Sequence, residues 1–456
     1  MTFSALDSAL TGPLFATDAM RAVFSDRARL AAMLKVEAAL ARAQAAKGLV
    51  PKALGDAIDR IDIEAIDIAA IGAATASAGV PAIPFVKAVE AKLSAKLRGD
   101  FHKGATSQDI LDTALVLQIA DALDLIADDL TAIVAGLARL ARAHRKTPCA
   151  GRTYGQHAVP VTFGYVAATW LSGIAQAASG LPRVRERMLV AALGGPAGTL
   201  SRLGGKGPAV MEAFARELRL ATPALPWHAT RPRMAETGAW LAVLVGALAK
   251  MATDVVFLSS TEVAELSEPQ VAGRGGSSVM PHKRNPVGAT VILAAHGAAA
   301  GHVVTLLNAM AASGQRPAGA WHAEWHTLPQ LFGLASGALR ETRRLAEGLV
   351  VDKRRMRANL DLTRGLLFAE AAAAALAPKL GREAAHKVVG RAADAARMSH
   401  TPLRDVLRTD SGVPPRLRNA VDAAFDLAPS IDAAAAMADR VLSGMKPVVA
   451  ALKRKR

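Results

Sequence analysis

Chemistry in this chain is most concentrated in Gly273-Arg274-Gly275-Gly276-Ser277-Ser278-Val279-Met280-Pro281-His282-Lys283-Arg284-Asn285-Pro286. The glycines make the segment mobile, Ser277 and Ser278 supply hydroxyls, and Lys283 and Asn285 supply donors for an anion. Pro286 sits where a helix should begin, since the first helical position needs no backbone N–H. A donor-rich loop opening onto a very apolar helix is expected to act as an anion-binding lid.

Two other stretches stand out from an otherwise apolar background. His102-Lys103-Gly104-Ala105-Thr106-Ser107-Gln108-Asp109 precedes a long helical pattern. Thr106 is placed to cap that helix, with Asp109 in capping-box relation, and the helix start offers N–H groups to an anion. In Gly151-Arg152-Thr153-Tyr154-Gly155-Gln156-His157-Ala158-Val159-Pro160, the side chains of Thr153, Gln156 and His157 are expected just ahead of a helix entered through Pro160. Each stretch, taken alone, also reads as an ordinary cap or helix–helix turn.

The elements that must position these residues are helices. The 456 residues are 52% hydrophobic but only 4% aromatic, and much of that apolar content is alanine and leucine, which lose little side-chain freedom in a helical turn. Ile119, Leu123, Ile126, Leu130, Ile133, Leu137 and Leu140 recur at spacings of four and three, as do Leu241, Leu244, Leu248, Met251, Val255 and Leu258. Such seams bury against other long helices. Residues 287–310 are apolar on nearly all sides, so this helix belongs deep in a bundle that one subunit would struggle to complete. The expected fold is all-α with three helical domains: residues 1–104, a central long-helix bundle at 105–351, and a small helical domain at 352–456.

Other classes fit less well. Lys250, His296 and His302 interrupt the most apolar runs, so no membrane span is expected. The N-terminus lacks a basic region followed by an apolar core, and Cys149 is the only cysteine, so a cytoplasmic protein is expected. The net charge of +16 is dispersed except for Lys453-Arg454-Lys455-Arg456, and no nucleic-acid-reading motif accompanies it. A positive field of this kind would help gather a polyanionic small molecule.

The three polar stretches, in this order, resemble the signature regions of the fumarase/aspartase superfamily, the string from Gly276 to Pro286 most specifically. The resemblance implies a homotetramer with a central helical bundle. Active sites would be shared between subunits, and a carbanion would be stabilised as an aci-carboxylate. It implies Ser277 as the base, Lys283 and Asn285 as holders of substrate carboxylates, and Thr106, Ser107, Thr153, Gln156 and Ser278 as further binding positions. His157 and His102 are candidate orienting groups. Leu14-Phe15-Ala16-Thr17-Asp18-Ala19-Met20, Trp321-His322-Ala323-Glu324-Trp325, Ser336-Gly337-Ala338-Leu339-Arg340 and Asn359-Leu360-Asp361-Leu362-Thr363 are similar to its cycloisomerase branch. That branch closes a tricarboxylate diene into a lactone during breakdown of aromatic acids, with no metal or organic cofactor.

Tyr154 stands where lyases of the superfamily usually carry the histidine of their general-acid machinery. Departing amines and hydroxide need a proton, whereas a lactone's leaving group is a carboxylate of ordinary pKa about 4. Lactone chemistry therefore tolerates the loss. The alternative is a lyase of the same superfamily releasing fumarate from adenylosuccinate or argininosuccinate.

Overall fold

The computed structural model describes residues 3–454, so Lys455 and Arg456 of the basic tail lie outside the described residues. The segment ahead of residue 107 is built on helix α1 (Asp26–Ala45), where the Ser25 hydroxyl accepts the Ala28 N–H. Its apolar face, including Leu30, Met33, Val36 and Leu40, is buried in the main core. Helix α2 (Ser107–Ala143) follows, about 55 Å long at 1.5 Å per residue. Ile119, Leu123, Ile126, Leu130, Ile133 and Leu137 are all buried along its seam. Each contributes about 1.5–3 kcal/mol relative to exposure.

An antiparallel ribbon interrupts the helices. Strand β1 (Pro148–Thr153) pairs with β2 (Gln156–Thr162), and helix α3 (Phe163–Ala178) begins only after Thr162, whose hydroxyl accepts the Tyr165 N–H. The expected helix entry at Pro160 is thus corrected to a hairpin. Two glycines decide it. Gly155 is left-handed at φ +76° in the two-residue turn, and a Cβ on Gly151 would lie 2.8 Å from the Val159 carbonyl oxygen.

Helices α4 (Pro232–Leu258), α5 (Val287–Ala309) and α6 (Ala320–Gly348) pack on one another, and α6 also packs on α2. The second seam, Leu241 to Leu258, is buried throughout. By length and composition α4 and α5 would both be able to cross a membrane, which corrects the expectation that their polar residues exclude this. In the fold α4 is a core helix. Both still leave apolar side chains uncovered by one chain, Val243 of α4 at 62% and Val304 and Leu307 of α5 at 56% and 52% exposed.

A two-stranded ribbon, β3 (Leu266–Ser267) with β4 (Val350–Val351), ties the segment before the Gly273 loop to the end of α6. Helices between 369 and 424 enclose a separate small core that includes Leu376, Val389, Leu403, Leu407 and Val421. The last two helices, α7 (Ala428–Ser443) and α8 (Met445–Leu452), return to the main core through Ala438 and Leu452.

Two stretches noted separately in the sequence prove to be one contact. Arg340 donates to the carbonyls of Pro13 and Leu14 at 2.9 and 2.6 Å, and the Ser336 hydroxyl accepts the Thr17 N–H at 3.2 Å. Gly337 lets the chain at Phe15 cross α6 directly, since a Cβ there would sit 2.1 Å from the Phe15 carbonyl oxygen. Gly337→Ala is expected to destabilise the fold by about 1–3 kcal/mol through overpacking, read as a lowered urea midpoint. Unchanged stability would show that this crossing is pliable.

Candidate functional site

The α2 start is held by Asp109. Capping with Thr106 is borne out: the Asp109 carboxylate accepts the Thr106 N–H at 2.9 Å. It also accepts the N–H groups of Gly194 and Gly195 at 2.7 and 2.9 Å, and lies 2.7 Å from His228 Nε2. With Asp109 buried and fully engaged, Thr106 and Ser107 remain half-buried at the surface. The Thr106 hydroxyl accepts from Arg316, 2.9 Å away, and Arg316 also donates to Gln108 Oε1 at 3.1 Å. Arg316 escaped the sequence reading. A lone arginine in the polar turn 314–317 between two long helices was the signal that could have found it.

His102, at φ +52°, directs Nδ1 at the buried Glu37 carboxylate, 2.6 Å away. Burial pulls its pKa down, but Glu37, with help from Asp109 and Glu90, outweighs burial and raises it above the ordinary histidine value. The ion pair's stability is therefore fully present below the unfolded value of about 6.5 and lost as pH rises through the higher folded value. The urea midpoint is expected to fall between pH 6 and pH 9 more steeply in the native protein than in His102→Gln. Parallel slopes would remove His102 from that role.

The hairpin carries the second group. Thr153, Tyr154 and Gln156 lie exposed at its tip, with Tyr154 at φ +50° and 104% exposed. Two consecutive positive φ values, at Tyr154 and Gly155, match the twist of the ribbon. A non-glycine residue in that conformation costs about 1–2 kcal/mol, and the Tyr154 ring is fully exposed. His157 is half-buried, its Nδ1 without a partner among the described residues. Burial, then Arg152, lowers its pKa against the opposing pull of Glu265. The hairpin is anchored by Arg152, which pairs with the buried Glu265 and lies 5.6 Å from the Phe257 ring centroid. Glu265 also accepts from Asn359 Nδ2 at 2.7 Å.

The Gly273 loop forms the third group. Ser277 Oγ accepts the N–H of Met280 at 3.0 Å and of Val279 at 3.3 Å. Amide donors favour the oxyanion form of a hydroxyl over the neutral one. Ser278 and Lys283 are exposed and Asn285 is half-buried. The loop closes on itself where the Asn285 N–H donates to Gly275 O at 2.8 Å; a Cβ on Gly275, at φ +72°, would lie 2.7 Å from Asn285 O. The helix start behind the loop is not open to a ligand. Glu268 already accepts the N–H groups of Gly288 and Ala289 at 3.0 and 2.8 Å, whereas at the α2 start Thr106 and Ser107 are half-buried.

Among the described residues, no hydrogen bond or ion pair joins one of these three groups to another. Beneath the first group lies a buried charged network. Arg231 pairs with Asp112 at 2.7 Å and with Glu324, Trp321 Nε1 donates to Asp112 at 2.9 Å, and Gln108 Nε2 reaches Asp112 at 3.1 Å. Arg231 also lies 4.8 Å from the Trp227 ring centroid. The network locks α2, α4 and α6 together behind Thr106.

Comparison with known proteins matches residues 14–301 to the family described as Lyase, and residues 365–441 to that described as Adenylosuccinate lyase C-terminus. The chain is 44% identical over 444 residues to 3-carboxy-cis,cis-muconate cycloisomerase of Bradyrhizobium diazoefficiens, covering 96% of this chain and 98% of the relative. It is 43% identical over 456 residues to nitrosuccinate lyase of Streptomyces davaonensis, covering 96% and 95% respectively. The crystal structure of 3-carboxy-cis,cis-muconate lactonizing enzyme from Pseudomonas putida superposes with a TM-score of 0.91 at 42% identity, covering 97% of this chain and 100% of that one.

Proposed function

The chain belongs to the lyase family of fumarase/aspartase type, and from that premise we propose that it is a cycloisomerase converting 3-carboxy-cis,cis-muconate to 4-carboxymuconolactone. The observation that carries this reading within the family is Tyr154, an exposed phenol on the hairpin tip, at the position where the resemblance puts the histidine acid of the amine lyases. The near full-length likeness to cycloisomerases supports it.

The substrate's carboxylates are held by Lys283, Asn285, Thr106 and Ser107, with Thr153, Gln156 and Ser278 as further contacts. Arg316, bonded to Thr106, Gln108 and the Pro196 carbonyl, positions the Thr106 hydroxyl for this task. One substrate carboxylate, kept close, forms the new C–O bond to an alkene carbon. The displaced electron pair moves onto the conjugated carboxylate, and the donors stabilise this aci-carboxylate. Ser277 delivers a proton to the adjacent carbon, and in reverse its oxygen removes that proton. His157 and His102 orient these groups.

The complete site assembles from several copies of the chain in a cytoplasmic homotetramer. The separation of the three groups within one chain and the uncovered apolar face of α5 support this. Purified protein is expected to bleach the diene's ultraviolet absorbance with one lactone formed per diene lost and no fumarate. Fumarate release from adenylosuccinate or argininosuccinate instead would defeat the proposal. A second reading, elimination from nitrosuccinate, has the 43% identical Streptomyces relative in its favour. Nitrite release faster than lactone formation would select it.

A further inference from the structure

We infer that Glu341 is a positioning residue for the Gly273 loop, and that through it the N-terminal turn at 13–16 sets where Ser277 stands; what Ser277 does there rests on the lactone reading. Turn and loop meet on this one buried carboxylate. Glu341 Oε2 accepts from Arg274 Nη2 at the base of the loop. Its other oxygen, Oε1, accepts from Arg340 Nε at 2.9 Å and from Arg344 Nη1 at 3.4 Å. Arg340 keeps its two terminal nitrogens for the carbonyls of Pro13, Leu14 and Ala16. Every link from the turn to the loop is therefore covalent or a charge-assisted hydrogen bond, the stronger kind.

The corner that holds Glu341 lies beside the α5 start. A Cβ on Gly288 would sit 3.2 Å from both carboxylate oxygens of Glu268 and 3.3 Å from Glu341 Oε2, so two acidic side chains share the space a glycine leaves. Glu268 is satisfied by the amides of Gly288 and Ala289. Glu341, buried beside that second carboxylate, takes cations instead, because an uncompensated charge there would be costly. Arg340 and Arg344 stand on α6 with it, whereas Arg274 reaches it from the loop.

The pairing acts at the neck of the loop. Arg274 is the chain neighbour of Gly275, whose carbonyl accepts the Asn285 N–H across the neck, and Ser277 follows closely in the chain. Fixing Arg274 on α6 therefore fixes both ends of the segment that carries Ser277 and Lys283. A displacement of about 1 Å at a reacting group costs about 10²-fold in rate. Loss of Arg274 still leaves Glu341 paired with Arg340 and Arg344, so the fold does not depend on it. Arg340 makes no contact with the loop and acts on Ser277 through Glu341 and Arg274.

The test uses the purified full-length protein with Arg274→Met and with Arg340→Lys, which keeps a cation beside Glu341 but lacks the fork that also holds the turn. Lactone formation from 3-carboxy-cis,cis-muconate, the urea midpoint and tryptic cleavage after the exposed Lys283 and Arg284 are each followed. Arg274→Met is expected to lower kcat about 10²-fold at a near-native urea midpoint, and to add no further loss in the Ser277→Ala background. Arg340→Lys is expected to lower kcat about tenfold alone and not at all in the Arg274→Met background, the non-additivity of groups acting through one path. Cleavage in the loop, which follows the population of its displaced form, should quicken about tenfold or more in both variants. Native kcat in Arg274→Met, or losses from the two variants that multiply, would overturn the inference. If the native protein forms no lactone, the lactone reading falls and cleavage decides alone: an unchanged rate in Arg274→Met overturns the inference, and a quickened rate in both variants upholds it.

Discussion

Ser277→Ala is expected to slow the loss of diene absorbance by about 10²–10⁴-fold, the usual worth of a positioned proton-transfer group, with KM nearly unchanged. The hydroxyl's hydrogen bonds are local, to the N–H groups of Val279 and Met280, so the fold does not depend on it. Carboxylate binding is assigned to other side chains and should persist. A loss confined to kcat removes an interaction made only in the transition state. Val279→Ala, which alters an exposed side chain and keeps the backbone N–H, serves as the control and should stay within about tenfold. Near-normal turnover in Ser277→Ala would eliminate the serine as the proton carrier.

Arg231→Met is expected to cost about 3–5 kcal/mol of folding stability, because it strands the buried carboxylates of Asp112 and Glu324 without their cation. Burial already raises the pKa of Glu324 against the opposing effect of Arg231. In the variant that opposition disappears, so the folded state binds protons more tightly than the unfolded chain. Its stability then falls as pH rises from the unfolded carboxyl value toward the raised folded one. The deficit in urea midpoint should therefore be smaller at pH 5 than at pH 8. A deficit below 1 kcal/mol at both pH values would mean that the pocket relaxes or hydrates, leaving the network no structural weight.

Legibility followed the physics of each feature. Heptad seams such as Ile119 to Leu137 are written in residue spacing, and their burial follows from helical geometry alone. The Thr106–Asp109 cap is equally local, closed within one turn. The hairpin at 148–162 was misread because proline before an apolar run signals a helix entry as readily as a strand, and the deciding backbone approach at Gly151 is non-local. Arg316, Glu265 and Glu268 were invisible for a related reason. Their partners lie 210, 113 and 20 residues away in the chain, and no periodicity encodes such pairings. Arg340 and Gly337 were noticed as sequence marks, but only the crossing at Phe15 explains them.

The sequence by itself determined the helical class, the long apolar seams and the identity of the donor-rich loop, since these depend on residue type and short spacing. Tertiary structure decided which polar groups remain exposed. It filled the α5 start with Glu268, buried Asp109 among four donors, and turned Tyr154 outward on a strained hairpin tip. The physical reason is that a charge or N–H group is spent once it meets a partner, and the fold chooses that partner across hundreds of residues.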